Sequence, residues 1–168
     1  MIEVLIPPTP NLHSMNSSQR TITAAQGYSE LGMLQEAIEE LNMLPLSELI
    51  RADVLEMRVL IFMKARCWKE ALIESEKLCA IAPEVAIGFI HAAFCLHELG
   101  CTREARELLL EGPASLVKEA TYHYNLACYE CALGNLEIAR AYLDTSFGMD
   151  LKLKDHAKSD PDLKVLQL

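Results

Sequence analysis

The chain has 168 residues, 51% apolar and only 6% aromatic, with 24 acidic against 15 basic residues and a formal net charge of −9. That length suits one domain with a continuous core and leaves no room for a second of ordinary size. The charge, without any basic stripe, argues against reading nucleic-acid phosphates, and no run of 18 apolar residues exists to span a membrane.

In chain order, residues 1 to 17 read as an extended or disordered leader, a β-prone run from Ile2 to Ile6 followed by a Pro, Asn and Ser rich segment. It has no basic stretch and is broken by prolines, so a secretory signal is not expected and a cytoplasmic location is. Val4, Leu5 and Ile6 are read either as part of a disordered tail or as docking on an apolar surface of this or a neighbouring copy.

From residue 18 to 151 a six-residue stretch recurs four times: GMLQEA at Gly32 to Ala37, RCWKEA at Arg66 to Ala71, GCTREA at Gly100 to Ala105 and GNLEIA at Gly134 to Ala139. The period is 34 residues without insertion or deletion, the mark of a stacked repeat. Gly32, Arg66, Gly100 and Gly134 stand where a C-cap must reverse the chain between antiparallel helices. Upstream, Ala25, Val59, Ala93 and Ala127 allow close helix approach, while Tyr28, Phe62, Leu96 and Glu130 occupy a knob position with one exception to its bulk and apolarity. Four units follow, at about 19–44, 49–81, 84–111 and 116–149. Pro45 and Pro113 must shorten the second helices of units one and three, and Ser47 and Ser115 are placed to cap the first helices of units two and four.

The acids of the second helices (Glu36, Glu39, Glu40; Glu70, Glu74, Glu76; Glu104, Glu107, Glu111) read as a solvated convex face. Residues 152–168 contain Ser-Asp-Pro-Asp, a helix start with Asp160 as N-cap and Pro161 at the first helical position. A stack exposes at its end the face that interior units bury, so a capping helix is expected there.

With its period and small/large pattern, the chain resembles the tetratricopeptide repeat (TPR) family over most of its length. The resemblance implies an all-α, right-handed superhelical solenoid of four helix-turn-helix units plus the capping helix. It also implies a non-catalytic protein-interaction scaffold or adaptor. Arg66 in place of glycine and Glu130 in place of an aromatic depart from the family pattern.

In such a stack the first helices line the concave side, and the helical register turns Leu60, Met63, Ile87, Ile90, Phe94, His97, Tyr124, Cys128 and Cys131 towards it. An apolar groove there favours a hydrophobic peptide or helix of another protein. Relatives that bind the acidic tails of heat-shock chaperones use lysine and arginine on these faces; the matching positions here (Ile22, Gln26, Met57, Ile87 and His91 in one register, Glu56, Leu60, His91, Thr121 and Asn125 in the other) hold neither, so a carboxylate-terminated ligand is not expected. A second reading is a small acidic holdase resembling the secretion chaperones built on the same repeat. The leader and groove together are compatible with a homodimer.

Cysteines 67, 79, 95, 101, 128 and 131 follow no disulfide framework and read as free thiols. Cys128 and Cys131 form a C-x-x-C in mid-helix, and His91 and His97 could join them around zinc, but the spacing is unlike a standard finger and packed thiols are the expectation. His91 beside Cys95, and Asp53 beside Glu56, lack the orienting groups that catalysis needs. No cofactor, metal or catalytic residue is expected.

Overall fold

The computed structural model describes residues 16–167. Residues 1–15, and with them the leader and its Val4, Leu5 and Ile6, lie outside the described residues, as does residue 168. All the regular structure within them is helical.

Four antiparallel pairs follow the sequence period: α1 (Ser17–Glu30) with α2 (Leu34–Asn42), α4 (Ala52–Lys64) with α5 (Trp68–Ile81), α6 (Ala86–Glu98) with α7 (Thr102–Leu110), and α8 (Ala120–Ala132) with α9 (Leu136–Met149). Each second helix also packs on the next first helix, and the successive first helices touch one another. This connectivity makes a solenoid. The second helices α2 and α7 have 9 residues against 14 in α5 and α9, as Pro45 and Pro113 require. A one-turn helix α3 (Leu46–Leu49) and a 3-10 turn (Leu116–Lys118) fill the space that the shortened helices leave.

The turns show why the repeat holds its phase. Gly32, Gly100 and Gly134 have φ of 78°, 83° and 86°, and Arg66 adopts the same left-handed conformation at 56°. In every copy the residue after it donates its backbone N–H five residues back, at 2.9 Å for Met33 to Tyr28, 2.9 Å for Cys67 to Phe62, 2.9 Å for Cys101 to Leu96 and 2.8 Å for Asn135 to Glu130. This is the Schellman geometry, and it fixes the angle between the two helices of each pair. Arg66 carries a Cβ where its three counterparts have none. Arg66→Gly relieves about 1–2 kcal/mol of left-handed strain and gives back roughly 0.5–1 kcal/mol through the more flexible unfolded chain. A net stabilisation of about 0.5–1 kcal/mol is expected, read as a higher urea midpoint at unchanged slope.

The small positions are completely buried: Ala25, Val59, Ala93 and Ala127 on the first helices, Ala37, Ala71, Ala105 and Ala139 on the second. Between units two and three the closest approach falls at Gly88, where a Cβ would meet Cys79 Sγ at 3.1 Å and Leu78 Cγ at 3.2 Å. The core divides into two clusters. One joins α1, α2 and α4 through Ala25, Ala37, Leu41 and Ile61; the other runs from α6 to the C-terminus through Ile90, Leu109, Leu126, Leu143 and Leu163.

Three expectations are corrected. Neither serine caps a first helix: Ser47 lies inside α3, and Ser115 turns its hydroxyl to the Glu84 carbonyl at 2.7 Å, while Arg51 and Glu119 occupy the N-cap positions of α4 and α8 without a side-chain cap. The extra α3 and the 3-10 turn displaced both helix starts beyond the serines. Glu74 is not part of a solvated face, because it is buried between Arg58 Nη2 and Lys77 Nζ, each at 3.2 Å. The capping element is two short pieces rather than one helix: α10 (Lys152–Ala157) and a terminal 3-10 segment (Pro161–Leu166). Asp160 does cap the latter, its carboxylate accepting the Asp162 N–H at 2.9 Å, and Leu163 and Leu166 are buried against the stack.

Candidate functional site

The register that buries the small residues of α4, α6 and α8 against their partner helices turns the opposite faces toward one side of the stack. A cavity of about 390 Å³ opens there. Its apolar floor comes from Met63 on α4, Ile87, Ile90 and Phe94 on α6, and Tyr124 on α8. Phe94 is braced by Trp68 of α5, edge to face at 5.7 Å between ring centres, so its ring is held in place rather than free to collapse.

Polar groups are few and specific. His97 and Cys128 line the cavity, joined by His91, Thr121 and Asn125. Burial lowers the pKa of His91, which keeps its imidazole neutral, and Nε2 has no hydrogen-bond partner among the described residues. A buried nitrogen without a partner carries an uncompensated desolvation cost of about 1–3 kcal/mol that an incoming group could relieve. At one end α10 and the terminal segment close the cavity with Leu153, His156, Asp160 and Asp162. Among the described residues, no lysine or arginine lines it.

Of the nine residues assigned to the groove from sequence, Met63, Ile87, Ile90, Phe94, His97, Tyr124 and Cys128 line this cavity together. Leu60 does not. It is 49% exposed and borders a separate hollow of about 350 Å³ with Gln26, Asp53, Glu56 and Met57, between units one and two. Cys131 lines neither and packs in the core cluster that includes Leu163 and Leu166, so its place in the groove is corrected: the terminal segment covers that turn of α8. The residues missed are Glu119 and Tyr129, Leu153 and His156 of α10, and Asp160 and Asp162 at the start of the terminal segment. The repeat period stops at the fourth unit, and nothing in the spacing of residues 152–168 says which face of α8 they cross.

The thiols are poorly suited to nucleophilic work. Burial, with Glu98 adding to it, pushes Cys95 up to about 11, and burial likewise raises Cys131. Cys128 is driven further up, by burial first and then by the carboxylates of Asp160 and Asp162.

Comparison with known proteins agrees with this architecture. No protein-family model matches the chain, and no curated protein does. Among solved structures, residues 41 to the end of MamA from Desulfovibrio magneticus RS-1 superpose with a TM-score of 0.74 at 14% identity, covering 92% of this chain and 88% of that one. A double mutant of MamA RS-1 labelled ArsTM gives 0.70 at 16% identity, covering 88% and 81%. MamA MSR-1 C2 gives 0.66 at 15%, covering 84% and 81%. At such identities the likeness shows the fold: the chain is a tetratricopeptide-type helical solenoid.

Proposed function

We propose that this chain is a non-catalytic protein-interaction module that holds an apolar peptide or helix of another protein in the cavity between α4, α6 and α8. The observation that carries the reading is the floor of Met63, Ile87, Ile90 and Phe94, presented on one side of the stack with an unpartnered His91 nitrogen beside it. Each aliphatic or aromatic anchor seated there contributes roughly 1.5–3 kcal/mol before ordering costs. Three anchors supply roughly 4.5–9 kcal/mol before those costs, so at least three are needed to approach micromolar binding. His91 and the amide of Asn125 offer a donor and an acceptor for the ligand's backbone. The acids at the closed end and the lack of lysine or arginine disfavour a carboxylate there.

The test is selection of peptides from a random phage-displayed library on the immobilised full chain, followed by calorimetry of the winners. Apolar sequences with at least three large anchors are expected. Phe94→Asp should weaken them by more than tenfold with the helical circular dichroism unchanged. Selected peptides that bind the variant equally well would remove this cavity as the site.

The holdase reading draws on a different surface, the apolar residues exposed near the turn from unit one to unit two. Leu46 and Ile50 are 84% and 62% exposed, and Met43 lies beside them. Suppression of an aggregating client at equal molarity, insensitive to Phe94→Asp but lost in Leu46→Asp, would favour it over peptide capture in the cavity.

A further inference from the structure

Where the terminal segment crosses α8, the Cys128 thiol and the carboxylates of Asp160 and Asp162 converge, with one ligand atom of each within 4.8 Å of the others. The two carboxylates are partly withdrawn from water, 13% and 39% exposed, and among the described residues that line the cavity they border, only histidines could carry positive charge. Both are held by other groups. Asp160 accepts the Asp162 N–H on Oδ1 at 2.9 Å and the Tyr124 hydroxyl on Oδ2 at 2.7 Å, with His156 Nε2 at 4.0 Å. Asp162 Oδ2 lies 3.1 Å from His97 Nε2, and the other ring nitrogen, Nδ1, is hydrogen-bonded with the Thr102 hydroxyl at 2.9 Å. The Cys128 thiol points its weak donor at Asp160 Oδ2, 4.0 Å away.

An independent sign comes from Tyr129. Its side chain is 1% exposed and lines the same cavity, yet its hydroxyl has no hydrogen-bond partner among the described residues. An orphaned buried hydroxyl in the cavity that this thiol and these two acids also line is a place where a hydrated cation would satisfy what the protein does not.

We propose that Cys128, Asp160 and Asp162 form a site for a thiophilic divalent cation of the zinc class, with water completing the coordination. One sulfur and two carboxylate oxygens suit zinc, which takes three protein ligands and a water readily; calcium and magnesium prefer oxygen throughout. On binding, the Cys128 S–H bond breaks, an Sγ–metal bond forms and the proton passes to solvent, so one proton leaves per cation. The thiol resists ionisation in the apo chain because of burial and the two carboxylates, and a divalent charge reverses that balance. Tyr124 and the Thr102–His97 pair then act as supports that orient the two aspartates. Such a cation fastens the terminal segment to α8, whether or not the cavity holds a peptide.

The test uses the full chain without a histidine tag, stripped of metal, and titrated with cobalt(II) as a spectroscopic probe. One equivalent is expected to raise a thiolate-to-cobalt charge-transfer band, displaced by zinc. The band should persist in Cys67→Ser and vanish in Cys128→Ser, and Asp162→Asn should lower zinc affinity at least tenfold. Zinc should raise the melting midpoint of the parent chain and not that of Cys128→Ser. No band in the parent chain under excess cobalt overturns the proposal, as does an equal band in Cys128→Ser. If Cys128→Ser fails to fold, unchanged zinc affinity in Asp162→Asn overturns it alone.

Discussion

Arg106→Leu is expected to destabilise the chain by about 3 kcal/mol, while Glu130→Leu at the other end of the same ion pair costs less than about 1 kcal/mol. Glu130 occupies the knob position that Tyr28, Phe62 and Leu96 fill in the other units, and it is 1% exposed. Its carboxylate accepts from Arg106 Nε on one oxygen and from Asn135 Nδ2, at 2.7 Å, on the other. Removing Arg106 leaves a buried negative charge with a neutral amide as its remaining side-chain partner, which is the costly half of breaking a buried pair. Arg106 is a third exposed, so without Glu130 its guanidinium can turn to water. Leucine at 130 meanwhile restores the side-chain type that Leu96 has in the unit before. The double variant should be nearly as stable as Glu130→Leu alone, giving a coupling energy of about 3 kcal/mol from urea unfolding of the four species. Equal losses for the two single variants would show that the pair acts as an exposed bridge and that the knob position has no preference for apolar bulk.

The same residue shows which parts of the architecture were legible. Glu130 stands out in a list of aligned positions, but its partner Arg106 lies 24 residues away on the neighbouring unit, and no period within one unit reveals it. Glu74 follows the same logic: it lies among acids of a second helix, yet Arg58 from the preceding helix draws it into the interface. Whatever depends on the backbone alone could be read. The left-handed residues 32, 66, 100 and 134 announce the turns, and the early prolines shorten α2 and α7 as expected. What depends on space left over could not. Shortened second helices created room for α3 and the 3-10 turn, which moved the helix starts away from Ser47 and Ser115. Most of the groove was accessible because it is the far side of a face fixed by buried alanines. Cys131 was lost from it because the terminal segment covers that turn of α8.

Leu163→Asp, or ending the chain after Ser159, should give the largest loss among these changes, about 4 kcal/mol. Leu163 and Leu166 are almost completely buried, and each contributes roughly 1.5–3 kcal/mol by leaving water. Truncation also removes Asp160 from the Tyr124 hydroxyl, Asp162 from His97, and the Leu166 carbonyl that accepts from Arg140 Nη2 at 2.8 Å. The damage should be local. In a stack each unit contacts only its neighbours, and the cluster of Ala25, Ala37, Leu41 and Ile61 is separate from the one containing Leu163. Amide hydrogen exchange on Leu163→Asp should therefore show lost protection across α8 and α9, with α1, α2 and α4 close to their parent values. Selective fraying of the last pair would identify residues 160–166 as the closing layer of the solenoid. Protection lost evenly from α1 to α9 would mean that the two clusters unfold as one unit, and unchanged protection in α8 would mean that the segment is an ornament on a stack already closed by α9.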